Sequence, residues 1–370
     1  MKFAIFTHVS HVKEDNQYYA YAPYVKEMNI WGKNVNELII VAPFLGDKTA
    51  IDTFYEHQNI EFIPVPSFDV LSIKSIFFTI LKLPGLIKTL FKAMRSADHI
   101  HLRCPGNIGL LGCFIQILFP NTPKTAKYAG NWDPKSKQPL TYKLQQWILN
   151  NTFLTRNIQV LVYGEWEGMT QNIKPFFTAS YTVKDIVPIA QKSLNGIVDF
   201  IFVGALVKGK HPLYAIQLVE NLYQKGYIVR LNLYGDGVER KLLEDYIAVQ
   251  QLQSIVSLQG NQTQDVVQKA YENSHFVVLP SDSEGWPKVI AEGMFWGCVP
   301  IATAISCVPY MLDYGNRGIL LEMNLENDSA QIAVALYNQT DFDSKRNKAA
   351  EWSRKFTLDV FEDAIQELIV

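Results

Sequence analysis

The hydrophobic and polar positions of the second half of the chain alternate between two periods, each typical of one kind of element. Short apolar runs bounded by glycine, proline or polar residues predict buried strands. These runs lie at 199–204, 229–235, 255–260, 275–281, 299–303 and 317–322. Between them apolar residues recur at helical spacing, as in Leu213, Ile216 and Val219, which predicts amphipathic helices. Strands buried on both faces and separated by helices favour a parallel, doubly wound α/β sheet.

The first half carries the same alternation with less regular spacing. Its strand candidates are MKFAIFTHV, ELIIVAP, IEFIPVP, ADHIHLRCP, KTAKYAG, IQVLVYG and PFFTASYT. Its helix candidates lie at 19–30, 71–96, 107–119 and 138–150. A chain of 370 residues is too long for one ordinary core, so we expect two domains, at 1–190 and 197–350. We place the hinge near 183–197.

Composition excludes some classes of protein. The formal net charge is −2, so the chain has no overall electrostatic footprint for nucleic acid. Apolar residues make up 48% of the chain, which is typical of a globular protein and not of a disordered one.

The cysteines and the start of the sequence favour a cytoplasmic protein. The four cysteines show no C-x-x-C spacing and lie in apolar runs, so we expect buried free thiols and a reducing compartment. The first residues predict a strand and lack the cleavage site of a signal peptide. No run reaches the roughly 18 uninterrupted apolar residues of a spanning helix.

The most informative segment is SEGWPKVIAEGMFWGCV, at 283–299. Glu284 and Glu292 are separated by seven residues, across a Gly/Pro turn that leads from a predicted strand into a helix. Doubly wound sheets bind ligands at the carboxyl ends of their strands. The segment therefore predicts a ligand site at this edge of the second sheet.

The start of that helix suits a diphosphate. We expect Pro287 at the first helical position, where its fixed φ and missing N–H do no harm. The outward backbone N–H groups at this positive helix end would then be those of Trp286, Lys288 and Val289. Glu292, about 7.5 Å further along the helix axis, can accept hydrogen bonds from both hydroxyls of a ribose.

This segment resembles the E-x7-E signature of retaining glycosyltransferases of the GT-B fold, family GT4. The Pro-Ser pair ending at Ser281, the turn at Gly285 and the following GCVPIAT match the family in order. The resemblance implies two Rossmann-like domains that face a central cleft. It implies that Glu284 contacts the donor sugar, that Glu292 binds the ribose, and that Ser281 lies by the nucleotide.

A second segment, FVGALVKGK (202–210), resembles the strand and loop that hold the donor diphosphate in this family. Gly204 lets the backbone approach the phosphate, and Lys210 supplies a positive charge to the leaving group. Ala205 stands where the family has an arginine. Either Lys208 or Arg103 supplies a second charge, or the phosphate is held more weakly.

Two turns at strand ends complete the nucleotide side of the resemblance. The turns LYGDG and QGN contain Gly235, Gly260 and Asn261, which are implied to line the base and ribose. No metal is expected. The D-x-D at 341–343 is predicted to be a loop and helix N-cap, and the histidines show no zinc-ligand spacing.

The N-terminal half departs from the family, because no glycine-rich loop follows its first strand and the loop KYAGNWDPKSK contains no histidine. Candidates on the acceptor side are His8, His11, Asn131, Trp132 and Asp133. A structural role is the default for the histidines, and core packing is an equal alternative for Trp132. The last helix, at 352–370, is expected to cross back onto the N-terminal domain.

Segment 71–96 contains basic residues but no acid. It fits either a peripheral contact with the anionic inner face of a membrane or a pair of core helices with exposed amines.

The resemblance implies a hexosyltransferase-type enzyme without a cofactor. It would move a sugar from a nucleotide diphosphate donor to a saccharide or lipid-linked saccharide, in bacterial surface polysaccharide synthesis. Two alternatives stay open. One is a nucleotide-sugar epimerase or hydrolase of the same fold, and the other is a catalytically degenerate, glycosyltransferase-like binding protein.

Overall fold

The computed structural model describes residues 1–49, 51–67 and 73–369, and within 73–80 it describes the helical backbone alone. The chain divides into two compact units. The N-terminal unit comprises Met1–Phe176 and Phe361–Val370, and the C-terminal unit comprises Phe177–Val360. The segment 183–197, where the sequence predicts a hinge, lies inside the C-terminal unit.

A parallel sheet forms the centre of the N-terminal unit. The strands of this unit are β1 (Lys2–Phe6), β2 (His11–Glu14), β3 (Gln17–Tyr21), β4 (Glu37–Pro43), β5 (Asp52–Phe54), β6 (Ile60–Val65), β7 (His99–Cys104), β8 (Lys124–Tyr128), β9 (Ile158–Tyr163) and β10 (Ile173–Phe176). The main sheet has the order β10-β9-β8-β7-β1-β4-β6, with parallel pairing. Strand order reverses at β1, between β4 and β7, which makes this a topological switch point.

Helices cover both faces of this sheet. They are α1 (Ala22–Gly32), α2 (Ile73–Ser96), α3 (Asn107–Ile115) and α4 (Leu140–Leu149). Alternate strand residues such as Ala4, Ile100 and Ala126 share one buried cluster with side chains of α2, α3 and α4. On the opposite face Phe3 stacks on Trp31 of α1, with ring centroids 5.5 Å apart. Because both faces are covered, the strands are apolar throughout.

The C-terminal unit has a second parallel sheet. Its strands are β11 (Val198–Val203), β12 (Val229–Tyr234), β13 (Val256–Gly260), β14 (Phe276–Leu279), β15 (Val299–Thr303) and β16 (Ile319–Leu321), in the order β13-β12-β11-β14-β15-β16. Its helices are α5 (Pro212–Gln224), α6 (Arg240–Val249), α7 (Gln264–Asn273), α8 (Lys288–Phe295), α9 (Val308–Met311), α10 (Leu325–Leu336) and α11 (Gln339–Ser353). The predicted α/β class with two Rossmann-like sheets is confirmed.

The last helix, α12 (Leu358–Ile369), begins in the C-terminal unit, and from Phe361 onward it belongs to the N-terminal unit. Within that unit the ring of Phe361 lies 5.4 Å from the ring of Phe176. Lys33 Nζ lies 2.6 Å from Glu362 Oε2 on the same helix. Aromatic packing and an ion pair therefore help to hold this part of the helix within the N-terminal unit.

The helix predicted at 19–30 begins later than expected, because residues up to Tyr21 form a strand. Asp15 and Asn16 both have positive φ, 47° and 65°, as a two-residue hairpin turn requires. The turn pairs β3 with β2, and β3 also pairs with β5, so a small antiparallel sheet precedes α1. Asp15-Asn16, a pair that tolerates positive φ, was the turn signal in the sequence.

The strand predicted over 175–182 is wrong beyond Phe176, where β10 ends. Phe177 and Tyr181 are buried without continuing the strand. The hydroxyl of Thr182 donates to Asp185 Oδ2 at 2.7 Å in a capping box that turns the chain. An apolar run was therefore a poor guide to strand length here.

The predictions for thiols and for segment 71–96 have separate outcomes. All four cysteines are buried free thiols, as predicted.

Segment 71–96 is one helix from Ile73, with Pro84 inside it, and residues 71 and 72 lie outside the described residues. Over the described part of the chain, every helix is too short or too polar to cross a membrane.

Candidate functional site

The loops after β11, β12 and β14 meet at the carboxyl edge of the second sheet. Strand β11 lies between β12 and β14, so strand order reverses at β11 as it does at β1 in the first sheet. In a doubly wound sheet this edge is the expected ligand site. The sequence places its candidate phosphate, sugar and nucleotide residues on these loops and on α8.

Close backbone approach requires glycine at this edge. Gly235 has φ +135°, and a Cβ there would lie 2.0 Å from the carbonyl oxygen of Gly204. The N–H of Gly204 donates to the carbonyl of Tyr234 at 2.9 Å, and that of Gly235 donates to the carbonyl of Gly260 at 2.8 Å. Three candidate glycines thus lie on a continuous backbone network.

The structure brings together the two residues predicted to act on the donor. Lys210 ends a short 3-10 helix, Lys208–Lys210, and its ammonium donates to Glu284 Oε1. The side chain of Lys210 is 30% exposed and that of Glu284 is 10% exposed. The backbone N–H of Asp282 donates to the carbonyl of Gly209 at 2.9 Å, so the two loops are also joined through their backbones.

His211 and Asp282 form a second link between the same two loops. The His211 ring lies 2.6 Å from Asp282 Oδ1. His211 itself has φ 49° and ψ 49°, a left-handed conformation that non-glycine residues rarely adopt. The sequence carries no signal for this pair beyond a histidine directly after Lys210.

Helix α8 begins one residue later than predicted. Pro287 precedes the helix as its N-cap, because its ψ of 87° is not helical, and Lys288 is the first helical residue. The carbonyl of Gly285 accepts a hydrogen bond from Ser306 Oγ at 3.3 Å. The side chain of Trp286 is buried. The turn before α8 is therefore anchored on the unit's core, with Lys288 and Val289 half-buried at the helix start.

Two hydroxyl groups hold the carboxylate of Glu292. Ser180 Oγ donates to Glu292 Oε1 at 2.6 Å, and the hydroxyl of Tyr271 donates to Oε2 at 3.3 Å. Burial and then the charge of Glu292 raise the pKa of Tyr271 well above its ordinary value, which keeps the phenol protonated as a donor. Neither residue carried a sequence signal, because Ser180 lies 112 positions and Tyr271 lies 21 positions from Glu292 in the chain.

The remaining nucleotide candidates differ in exposure. Asn261 is exposed, after Gly260 with φ +69°. Ser281 is 1% exposed, and its hydroxyl has no hydrogen-bond partner among the described residues. A buried hydroxyl without a hydrogen-bond partner is uncommon in folded proteins, which makes Ser281 a candidate ligand contact.

In the N-terminal unit, His8 lines a cavity of about 260 Å³ at the switch point of the first sheet. The other lining residues are Pro43, Ser67, Gly106, Asn107, Ile108 and Tyr142. A Cβ on Gly106 would lie 2.4 Å from Nδ1 of the exposed His8 side chain, so any larger residue at 106 would displace that ring. Partial burial, together with the charge of Arg103, lowers the pKa of His8.

His11 is a buried core histidine and does not line this cavity. Its ring nitrogens lie 2.8 Å from the hydroxyl of Tyr55 and 2.8 Å from the carbonyl of Val9. Burial lowers the pKa of His11 to about 4, despite the opposing backbone hydrogen bond. This is the structural role that the sequence analysis gives as the default.

The loop 131–133 follows β8. Trp132 is 5% exposed and packs edge-on against Tyr128, at 4.9 Å between ring centroids. Asn131 Oδ1 accepts from the N–H of Asp133 at 2.9 Å, which stabilises a local turn. These positions fit the packing alternative for Trp132 and leave Asn131 and Asp133 half-buried in the loop.

Arg103 forms an ion pair with Glu27 within the N-terminal unit. Its guanidinium lies 2.5 Å from Glu27, whose other oxygen lies 3.1 Å from Lys127 Nζ. Burial alone would raise the pKa of Glu27, but the charges of Arg103 and Lys127 lower it to about 2. This pairing argues against Arg103 as the second phosphate charge. Lys208 is exposed two residues before Lys210.

The D-x-D segment is helical. Asn338 is the N-cap of α11, and its Oδ1 accepts a hydrogen bond from the N–H of Asp341 at 2.9 Å. The prediction of these aspartates as loop and N-cap is therefore wrong, because both lie inside the helix. The described residues contain no group of three or more His, Cys, Asp or Glu side chains that could hold a metal ion.

Residues 190–356 match the family model described as glycosyl transferases group 1. The segment contains Lys210, Glu284 and Glu292. The chain is 29% identical over 158 residues to an uncharacterised glycosyltransferase of Methanocaldococcus jannaschii, which covers 42% of this chain and 43% of the relative. It is 25% identical over 175 residues to a putative colanic acid biosynthesis glycosyltransferase of Salmonella typhimurium, covering 45% and 42%. The matches thus span less than half the length of these curated relatives.

Solved structures match over the whole chain. A lipopolysaccharide outer core galactosyltransferase in its apo form has a TM-score of 0.69 and 15% identity, covering 100% of this chain and 99% of that one. The Anabaena HepE protein in complex with UDP has a TM-score of 0.68 and 14% identity, covering 100% and 98%. Identities this low show the fold alone. The chain therefore has the GT-B fold, and its matching group 1 domain supports a GT-B glycosyltransferase.

Proposed function

We propose that this protein is a retaining glycosyltransferase of family GT4. It moves a hexosyl group from a nucleotide diphosphate sugar to a saccharide or lipid-linked saccharide, in bacterial surface polysaccharide synthesis. The observation that carries this proposal is the ion pair of Lys210 with Glu284, which joins the loops after β11 and β14 at the switch point. The colanic acid relative supports the pathway class.

The donor diphosphate competes with Glu284 for the ammonium of Lys210. The partly exposed lysine then faces the phosphate and stabilises negative charge as the diphosphate leaves. Glu284, released from that pair, accepts hydrogen bonds from the sugar hydroxyls. With Ala205 in place of the family's arginine, we assign the second charge to Lys208.

The carboxylate of Glu292 binds the ribose hydroxyls in a bidentate pair. Ser180 and Tyr271 hold that carboxylate in one orientation, which reduces the rearrangement needed on binding. The orphaned hydroxyl of Ser281 supplies a further contact to the donor. UDP, which the Anabaena neighbour binds, is the first nucleotide to test.

Transfer with retention breaks the bond between the anomeric carbon and the donor phosphate oxygen. The acceptor hydroxyl oxygen bonds to the anomeric carbon on the same face, and its proton passes to the leaving phosphate. The protein's part is to hold the phosphates and stabilise developing charge, without a protein nucleophile. For the acceptor we propose the cavity beside His8, with Asn107 and Tyr142 as its polar lining.

We also propose a cytoplasmic location and activity without a metal. Four buried free thiols fit a reducing compartment.

The test is a thermal-shift panel of nucleoside diphosphates and nucleotide sugars, with Mg²⁺ or with a chelator, on wild type and Glu292→Ala. Glu351→Ala on α11 is the matched control, because the Glu351 side chain is 78% exposed. We expect one nucleotide to raise the melting temperature of wild type and of the control, but not of Glu292→Ala. Nucleotide binding that is unchanged in Glu292→Ala contradicts the ribose assignment, and binding lost with the chelator contradicts metal independence.

Turnover separates the alternatives. Incubation of the nucleotide sugar without an acceptor gives an isomerised sugar for an epimerase and free sugar for a hydrolase. Binding without turnover in any acceptor panel favours the degenerate binding protein. For the proposed transferase, Lys210→Met slows transfer by 10²-fold or more, as expected when a charge on the leaving group is removed.

A further inference from the structure

Helices α2, α3 and α4 form a layer on one face of the N-terminal sheet. Leu90 of α2, Ile108 of α3 and Ile148 of α4 are all buried in the same cluster as the sheet residues beneath. The opposite sides of these helices therefore face away from the core. We call α2, α3, α4 and the segments 116–118 and 150–157 the outer helix layer.

The outward face of α4 is apolar where a solvated helix would be polar. Leu140 is 84% exposed, Leu144 is 38% exposed and Trp147 is 59% exposed. Their spacing of four and three residues places them on one stripe. The inward face of the same helix is separately filled by Ile148 and Leu149. Helix α4 thus has apolar residues on both sides. Core packing explains the inward side but not the exposed outward side.

Exposed apolar side chains continue across the layer. They are Leu81 and Ile87 on α2, Phe114 and Leu118 on α3 and the turn after it, and Phe153 after α4. Gln116 Nε2 donates to the carbonyl of Leu154 at 3.2 Å, which joins the end of α3 to the segment after α4. Apolar exposure spread over neighbouring helices indicates an interaction surface.

Charge on this layer has one sign. Residues 73–96, 107–118 and 140–157 contain no Asp or Glu, although the whole chain has 36 of them and a net charge of −2. The exposed basic residues of the layer are Lys82, Lys88, Lys92, Arg95, Lys143 and Arg156. The guanidinium of Arg156 lies 4.9 Å from the centre of the Phe153 ring. A basic group and an exposed apolar group are therefore direct neighbours on this surface.

We infer that the outer helix layer docks on a membrane surface that bears anionic lipids. Exposed leucine, phenylalanine and tryptophan side chains enter the boundary between headgroups and acyl chains, and the surrounding lysines and arginines face the lipid phosphates. Basic residues close to the membrane are attracted by its negative surface potential. The long lysine and arginine side chains carry their charges to the lipid headgroups while their apolar stems stay near the acyl chains. A tryptophan on the stripe suits that boundary.

The test uses the full chain and sedimentation with vesicles of phosphatidylcholine alone or with 30% phosphatidylglycerol. We expect binding to the anionic vesicles, falling with salt, and weak binding to the neutral ones. Leu140→Ser with Trp147→Ser lowers anionic binding at least tenfold, as does Lys88→Glu with Lys92→Glu. The matched controls lie on the C-terminal unit: Val249→Ser, at 74% exposure, and Lys269→Glu bind like wild type.

Fluorescence locates the contact. Trp147 is 59% exposed, whereas five of the seven tryptophans are 8% exposed or less. Anionic vesicles should shift the emission to shorter wavelength, and brominated lipid should quench it. Trp147→Phe should remove this signal while retaining vesicle binding, which separates contact at this residue from a change of fold.

Several results would overturn the inference. One is equal binding of wild type and both double variants to anionic vesicles. Another is the absence of sedimentation with either vesicle. Self-association that Trp147→Ser abolishes in the absence of lipid would assign the surface to a second copy of the chain. Binding to a soluble polyanion that prevents any vesicle binding would assign it to an acidic polymer.

Discussion

The hydrogen bond from Ser180 to Glu292 is the contact on which we base the most specific prediction. Ser180 Oγ lies 2.6 Å from Glu292 Oε1, and Glu292 is half-buried. Ser180→Ala removes this donor and leaves the longer bond from Tyr271, at 3.3 Å. The variant removes one oxygen atom and adds no bulk.

The expected magnitude follows from the charge on the acceptor. A hydrogen bond to a charged group contributes about 1.5–3 kcal/mol net to the free energy of unfolding. Water can replace part of it because Glu292 is only half-buried, so we expect a loss of about 1.5–2 kcal/mol. For a unit of this size that corresponds to a fall in Tm of about 3–8 °C.

The assay is a double-mutant cycle by urea unfolding. Wild type, Ser180→Ala, Glu292→Ala and the double variant are compared, with the exposed Ser254→Ala as control. The double variant should lose at least about 1 kcal/mol less than the sum of the single variants, because both remove one contact. Ser254→Ala should lie within about 0.5 kcal/mol of wild type.

Additivity of the two substitutions within about 0.5 kcal/mol would refute the coupling. Retention of full nucleotide stabilisation by Ser180→Ala would refute its role in orienting Glu292 for the ribose. Additivity in urea unfolding tests whether the contact stabilises the fold, and nucleotide stabilisation tests its role in the site. Either claim can therefore be refuted without the other.

Two further predictions concern stability. Burial lowers the pKa values of His11 and His99 to about 4 in the folded protein, so the unfolded chain binds protons first below the ordinary value of 6.5. Stability is therefore lost as pH falls from 6.5 towards 4, by about 2 kcal/mol per histidine at pH 5. Urea unfolding at pH 7 and pH 5 measures this loss, and equal stabilities at the two pH values would contradict it. Gly235→Ala should lower the free energy of unfolding by at least about 3 kcal/mol, since its Cβ would lie 2.0 Å from a carbonyl oxygen at a positive φ. Gly209→Ala, where a Cβ meets no atom within 4 Å, is the control, and an equal effect of both would show the steric argument to be wrong.

Strands that are buried on both faces could be predicted closely from the sequence. ELIIVAP and VPIAT were predicted at the bounds that the structure gives to β4 and β15, because a strand covered on both sides must be apolar at every position. The hairpin before α1 was missed, since its strands are half-exposed and look helical over a few residues. The predicted strand at 175–182 failed for the opposite reason, because its buried aromatic side chains pack without strand pairing.

Candidate site residues divide in the same way. Lys210, Glu284 and Glu292 could be chosen as candidates from the sequence, because each lies at a fixed place relative to a local strand or helix. Ser180, Tyr271, His211 and Asp282 were not found, because the sequence does not show which distant residue each one meets. The position of Arg103 beside Glu27 also depends on pairing between strands and helices far apart in the chain.

The sequence by itself determined the α/β class, most strand positions and the loops that carry the candidate donor residues, since these depend on local periodicity and turn chemistry. Only the tertiary structure decided which hydroxyls hold Glu292, that Lys210 pairs with Glu284, and which face of α4 is left uncovered. Those outcomes depend on strand order and helix packing, which bring Ser180 to Glu292 although the two residues are 112 positions apart in the chain. Local periodicity shows that a helix has an apolar face, but only packing shows whether another element covers it.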